Sequence, residues 1–114
     1  MHELPVTESI LEISLRHATA VSAKRITDIY LVIGQLASIV DDSVQFYWDI
    51  VSQNTAAEGA KLHFRRISTE LVCLDCNIRY EPAPMDMSCP DCDGVNVKVV
   101  AGDDFYMESI EIED

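Results

Sequence analysis

Positive charge is scarce in this 114-residue chain: 8 Lys and Arg stand against 20 Asp and Glu, a formal charge of −12. The last dozen residues, Asp103 to Asp114, carry six acids and no base. A polyanion repels phosphate backbones, so no nucleic-acid partner is expected; a basic protein partner or a cation cargo fits better. Solubility is the plain reading of the same charge. Long apolar runs are also absent, and nothing approaches the length of a membrane span. The opening Met-His-Glu-Leu-Pro has no basic n-region, and the first positive side chain is Arg16. No secretory signal is read, and a reducing, cytoplasmic setting is expected. The few glycines build no phosphate loop and no nucleotide fingerprint, and no Ser-His-Asp set is seen. There is no repeat beyond the paired cysteines and no low-complexity tract. A hydrophobic content of 48% nevertheless suffices for a packed core. The length allows one domain, or one small domain carrying a still smaller metal-stapled one.

What is present is a concentrated set of thiols. All 4 cysteines fall in two Cys-x-x-Cys pairs, Cys73/Cys76 and Cys89/Cys92. A two-residue gap lets one tight turn present two sulfurs to the same ion, and two such turns complete a tetrahedron that suits Zn²⁺. A closed four-thiolate sphere has no open position, which points to a structural metal rather than to hydrolysis. Two disulfides would suit a secreted chain. A redox Cys-x-x-Cys would occur once, near a βαβ pattern. A rubredoxin-like iron site uses the same ligands, and sequence barely separates it from zinc.

Around the thiols the pattern is mixed. Pro5 to Ser22 reads as a helix with Val6, Ile10, Ile13, His17 and Val21 on one stripe, widened by Leu11, Leu15 and Ala18. Pro5 suits its first turn. Ile26 to Ile33 reads as a β-branched strand closed by Gly34. Ser43 to Gln53 reads as a second helix through Val44, Tyr47, Trp48 and Val51, with Asp41, Asp42 or Ser43 as its cap. Lys61 to Ile67 alternates as a strand, and Asp104 to Ile112 reads as another. The proline-bearing stretch between them reads as loops with short strands at Arg79–Glu81 and Asn96–Val100. The expectation is an α+β fold: two helices and a three-stranded sheet (residues 1–68 plus 103–114), with a zinc ribbon (69–102) inserted before the last strand.

His2 is the second chemical feature. The α-amine of Met1, the backbone nitrogens of His2 and Glu3 and the His2 imidazole can close fused chelate rings. Such planar nitrogen coordination suits Ni(II) or Cu(II) rather than tetrahedral zinc. The imidazole binds only when neutral, so affinity falls in acid. A histidine at position 2 alone carries little weight, since chain termini are usually frayed. His17 reads as a packed or half-exposed helix residue, and His63, alternating with Lys61 and Arg65, as solvated. Asp41 and Asp42 read first as helix caps.

Taken together, Met1-His2-Glu3, the helix–strand–helix–strand order and Cys73-x-x-Cys76 followed by Cys89-Pro90-x-Cys92 resemble the HypA/HybF family. These are nickel metallochaperones of nickel–iron hydrogenase maturation. Ala57-Glu58-Gly59-Ala60-Lys61-Leu62 and the ending from Leu71 to Glu113 share the likeness, which spans essentially the whole chain. The resemblance implies a non-enzymatic carrier with a nickel site at Met1, His2 and Glu3, and a zinc site at Cys73, Cys76, Cys89 and Cys92. It implies a HypB-type GTPase as partner and the hydrogenase large subunit as recipient; some relatives also serve urease maturation. An acidic residue opening the second helix has been linked to nickel in part of the family, and Asp41 or Asp42 occupies that place here. A homodimer paired through edge strands is compatible with the resemblance, as are monomers. Two departures stand out: Pro5 follows the nickel motif closely, and no histidine flanks the cysteines. The competing class is a zinc-ribbon adaptor that binds proteins without moving nickel.

Overall fold

Pro5 needs no backbone N–H in a first helical turn, and the first helix, α1, runs Glu3–Ala20 around it. The computed structural model describes residues 3–114. α1 ends where Ser22 turns left-handed (φ 57°). There Ser22 N–H donates to Thr19 O (3.1 Å) and Ala23 N–H to Ala18 O (2.9 Å), a Schellman closure. The buried line along α1 is Glu3, Thr7, Ile10, Ser14 and Ala18. Of the expected face only Ile10 and Ala18 are fully buried, and His17 and Val21 are exposed. The reason is local: Thr7 Oγ1 donates to Glu3 O (2.5 Å) and Ser14 Oγ to Leu11 O (3.0 Å). Hydroxyls satisfied within their own helix pack as small side chains, so polar residues can take the buried line of α1.

α2 runs Asp41–Val51 and begins after Val40, an extended residue (φ −98°, ψ 117°) with no side-chain cap. The capping role expected of Asp41, Asp42 or Ser43 is therefore not filled. Asp41 and Asp42 lie inside the first turn, where acids favour the positive end of the helix dipole. Val44 and Trp48 are buried as the stripe predicts, and the Trp48 indole N–H donates to Ala60 O at 3.2 Å.

The strands are β1 (Arg25–Gly34), β2 (Lys61–Ile67), β3 (Glu70–Cys73), β4 (Arg79–Tyr80), β5 (Val97–Ala101) and β6 (Phe105–Glu113). One sheet has the order β2-β1-β6. Lys24 N–H donates to Glu113 O and Gly34 N–H to Asp104 O, which sets β6 antiparallel to β1. Ile26 N–H donates to Ala56 O and Gln35 N–H to Ile67 O, which sets β2 parallel to β1. The second sheet, β4-β3-β5, is antiparallel throughout, with Leu71 opposite Tyr80 and Cys73 opposite Val97. The α+β architecture with a ribbon before the last strand is thus observed; β3 is the strand that sequence patterning did not yield.

Two compact units emerge: Met1–Val32, Ile39–Arg65 and Tyr106–Asp114 form one, and Ile33–Ser38 with Arg66–Phe105 the other. The first holds most of the apolar core: Ile10, Ile26, Ile29, Leu31, Val44, Trp48 and Leu62 among others. In the second, the backbone of Gly34 lies against that of Gly102, so that a Cβ on Gly34 would stand 2.3 Å from the Gly102 carbonyl carbon. Gly102 has φ +96°, and its O accepts from Leu36 N–H at 2.7 Å. No helix among the described residues is long and apolar enough to cross a membrane.

Candidate metal centre

Each Cys-x-x-Cys is built as the same turn. Cys73 ends β3, its O accepting from Asn77 N–H (2.8 Å); Cys89 repeats this with Asp93 N–H (2.9 Å). Asn77 (φ 64°) and Asp93 (φ 58°) are both left-handed, a conformation Asn and Asp tolerate better than most residues. In each pair the first cysteine is buried and the second exposed. Gly94 follows Asp93 where an added Cβ would stand 3.2 Å from Cys92 Sγ.

The turns bring all four sulfurs within 4.8 Å of one another. Cys73 Sγ lies 3.7 Å from Cys92 Sγ, and Cys76 Sγ 3.5 Å from Cys89 Sγ. These are not disulfides, whose sulfurs are about 2.0 Å apart. They agree with the edge of a tetrahedron about 3.8 Å long that metal–sulfur bonds of about 2.3 Å would generate. The backbone N–H groups of Cys76 and Asp75 draw the Cys73 thiol down to about 7, against its desolvation. At Cys76 the Ile78 N–H pulls the same way, but desolvation and the neighbouring sulfurs outweigh it and push the thiol up to about 12. Cys92 is also raised: the Gly94 N–H lowers it, and the sulfurs of Cys73 and Cys89 with desolvation prevail. Crowded sulfurs cannot all ionise on their own; a divalent cation at their centre supplies the missing charge.

At the other end of the chain, Met1 and His2 lie outside the described residues. Glu3 opens α1 and is buried, which the sequence reading did not anticipate. Its Oε2 accepts from the backbone N–H of Val40 at 3.3 Å, immediately before Asp41 and Asp42. One buried carboxylate thus ties the start of α1 to the start of α2 and brings Glu3 and the paired acids to one corner of the first unit. Replacing Glu3 by Ala removes the charged acceptor of this part-buried bond. A loss of about 1–3 kcal/mol is expected in denaturant unfolding. Glu3→Gln, which keeps an acceptor oxygen, is expected to lose less.

His63 is not the freely solvated side chain expected. Its Nε2 lies 2.7 Å from Asp28 Oδ1, and its ring stacks on Tyr30 at 4.4 Å and 12°. The hydrogen bond from His63 holds the Asp28 carboxyl below its ordinary value. His17 is exposed, at the outer end of the two readings given for it.

A family model described as hydrogenase/urease nickel incorporation, metallochaperone, HypA, matches residues 1–112. A hydrogenase maturation factor HypA of Dehalococcoides mccartyi is 43% identical over 114 residues, 100% of this chain and 96% of that one. The hydrogenase maturation factor HybF of Escherichia coli is 36% identical over 113 residues, 99% of this chain and 100% of its own. The solution structure of the Ni metallochaperone HypA from Helicobacter pylori superposes with a TM-score of 0.68 at 23% identity, covering 99% of this chain and 98% of that one, a likeness of fold.

Proposed function

The chain belongs to the HypA/HybF family of nickel metallochaperones of hydrogenase maturation, and from that premise we propose that it holds Ni(II) at its N-terminus and hands it on to the hydrogenase large subunit. Members of this family are carriers, not catalysts, so the chemistry required is capture and release. The observation that carries the site assignment is the start of α1 at Glu3, anchored by the bond to Val40. The ligands in this reading are the Met1 amine, the backbone nitrogens of His2 and Glu3 and the His2 imidazole, a planar nitrogen set that suits Ni(II). Asp41 and Asp42, next along from Val40, would supply a carboxylate oxygen or draw the cation in.

In this reading residues 1–68 with 103–114 form the nickel-binding domain and 69–102 the zinc ribbon. Cys73, Cys76, Cys89 and Cys92 hold Zn(II), whose tetrahedral preference and thiolate affinity suit the sulfur spacing. A full thiolate sphere keeps that ion in place, while the N-terminal site exchanges its cargo. A HypB-type GTPase would supply the nucleotide hydrolysis for which this chain has no motif, and urease maturation proteins are further recipients. The work takes place in the cytoplasm, where thiols stay reduced.

The test is complementation of a strain lacking this protein. The wild-type chain is expected to restore nickel–iron hydrogenase activity and His2→Ala to fail unless excess nickel is added to the medium. Full activity from His2→Ala at low nickel would leave an adaptor role as the better description.

A further inference from the structure

β6 is an edge strand: β1 lies on one side, and no described strand pairs with the other. Its nine residues present a row of backbone N–H and C=O groups to any extended chain that arrives. Beside this edge, within the first unit, a groove of about 380 Å³ runs between β6 and the end of α1. His17, Val21, Met107, Ile110 and Ile112 line it, with Glu108 and Ser109. Val21 and Ile112 are 59% and 40% exposed, large apolar side chains that nothing among the described residues covers.

The strand's acids meet partners from the rest of the sheet. Glu108 accepts from Arg65 of β2 at 2.7 Å, and Glu111 accepts from Tyr30 of β1 at 2.5 Å. Arg65 offsets Glu108, while Glu111, Glu113 and the following Asp114 leave the end of the strand negative, and no base occurs from Asp103 onward. An edge strand beside an apolar groove is the geometry of strand addition: main-chain bonds hold an extended segment, and alternate side chains enter the groove.

We infer that this edge and groove take up an extended segment of another protein, with apolar side chains at alternate positions and Lys or Arg between them. The apolar side chains fill the groove lined by Val21, Ile110 and Ile112. The basic ones meet Glu111 and Glu113. Charge decides between this occupant and a second copy of the chain: pairing β6 with β6 would bring the acidic side chains of two copies together, and like charges across a strand pair are destabilising. The acidic edge therefore selects a basic segment over itself. The inference uses no nickel chemistry and stands apart from the proposed cargo site.

The experiment titrates isotope-labelled, zinc-loaded full chain with a capped nonapeptide of alternating Lys and Val, followed by amide chemical shifts. Shifts confined to β6 and to residues 17–21 are expected. A peptide N-methylated at alternate amides, unable to complete a strand ladder, is expected to bind at least about tenfold more weakly. A peptide with Glu for Lys, and the protein variants Ile112→Lys and Glu113→Lys, should weaken binding by a similar factor, about tenfold. Both substituted side chains are exposed, and thermal melts confirm that the variants fold. Equal binding of the N-methylated peptide would reduce the site to non-specific charge attraction and overturn the inference. So would shifts elsewhere, no binding, or concentration-dependent β6 shifts without peptide, which would give the edge to a second copy.

Discussion

Cys76→Ser is expected to release the metal and to unfold residues 66–105. The thiol is exposed, so the exchange removes a ligand and almost no packing. The unit it serves has little else to stand on: its fully buried apolar side chains are Ile33, Leu71, Cys73 and Cys89, two of them cysteines of the cluster. Small metal-stapled folds draw most of their stability from the ion, with apparent binding free energies of about 10–16 kcal/mol for structural zinc at neutral pH. Chelation should reproduce the substitution. Acid should do so too, since ligand sulfurs bind as thiolates and protons compete with the metal. Zinc content and amide spectra check this: loss of dispersion in 66–105 is expected, while the first unit, with its own core, keeps its signals. A metal-free chain whose ribbon amides stayed dispersed would show that the cluster is not structural.

Gly102→Ala is expected to be nearly as damaging, for a steric reason. A Cβ there would lie 2.6 Å from Thr69 Cα and 2.8 Å from Ser68 O, both backbone atoms that no rotamer change can move. The residue's φ of +96° adds strain of its own. Gly34→Ala meets a different contact, at 2.3 Å from the carbonyl group of Gly102. Each should cost more than about 4 kcal/mol, the range reserved for changes that the surrounding structure cannot absorb. Gly59 is the internal control. It also has a positive φ, but its nearest neighbour would be an Arg25 side-chain nitrogen at 3.8 Å. Gly59→Ala should therefore cost only about 1–2 kcal/mol of backbone strain. Equal midpoints for the Gly59 and Gly102 variants in denaturant unfolding would refute the steric account.

The close pass of Gly34 and Gly102 was not legible in the sequence, because it depends on two strand ends meeting, and no local pattern encodes that. The two Cys-x-x-Cys turns were legible, since ligand spacing is a local property and the metal dictates it. Both helices were legible in place, but only α2 was legible in face. On α1 the apolar count pointed to Val6, Ile13 and His17, whereas Thr7 and Ser14 took the buried line once their hydroxyls bonded within the helix. β3 escaped because four residues, Glu-Leu-Val-Cys, are too few to show a period. Glu3 was named for nickel, but its tie to Val40 spans 37 positions and appears only when α1 and α2 pack. Glu3 is buried although it lies near a chain terminus, and composition gives no hint of that.

The central claim is that the first residues form a nickel site depending on His2. Its most direct test is a calorimetric titration of Ni(II) into zinc-loaded protein with a free, untagged N-terminus, with His2→Ala measured beside it. The account predicts one nickel per chain, lost in the variant, and weakening in acid as the imidazole protonates. Nickel binding that is indifferent to His2, or no binding at all, would contradict it.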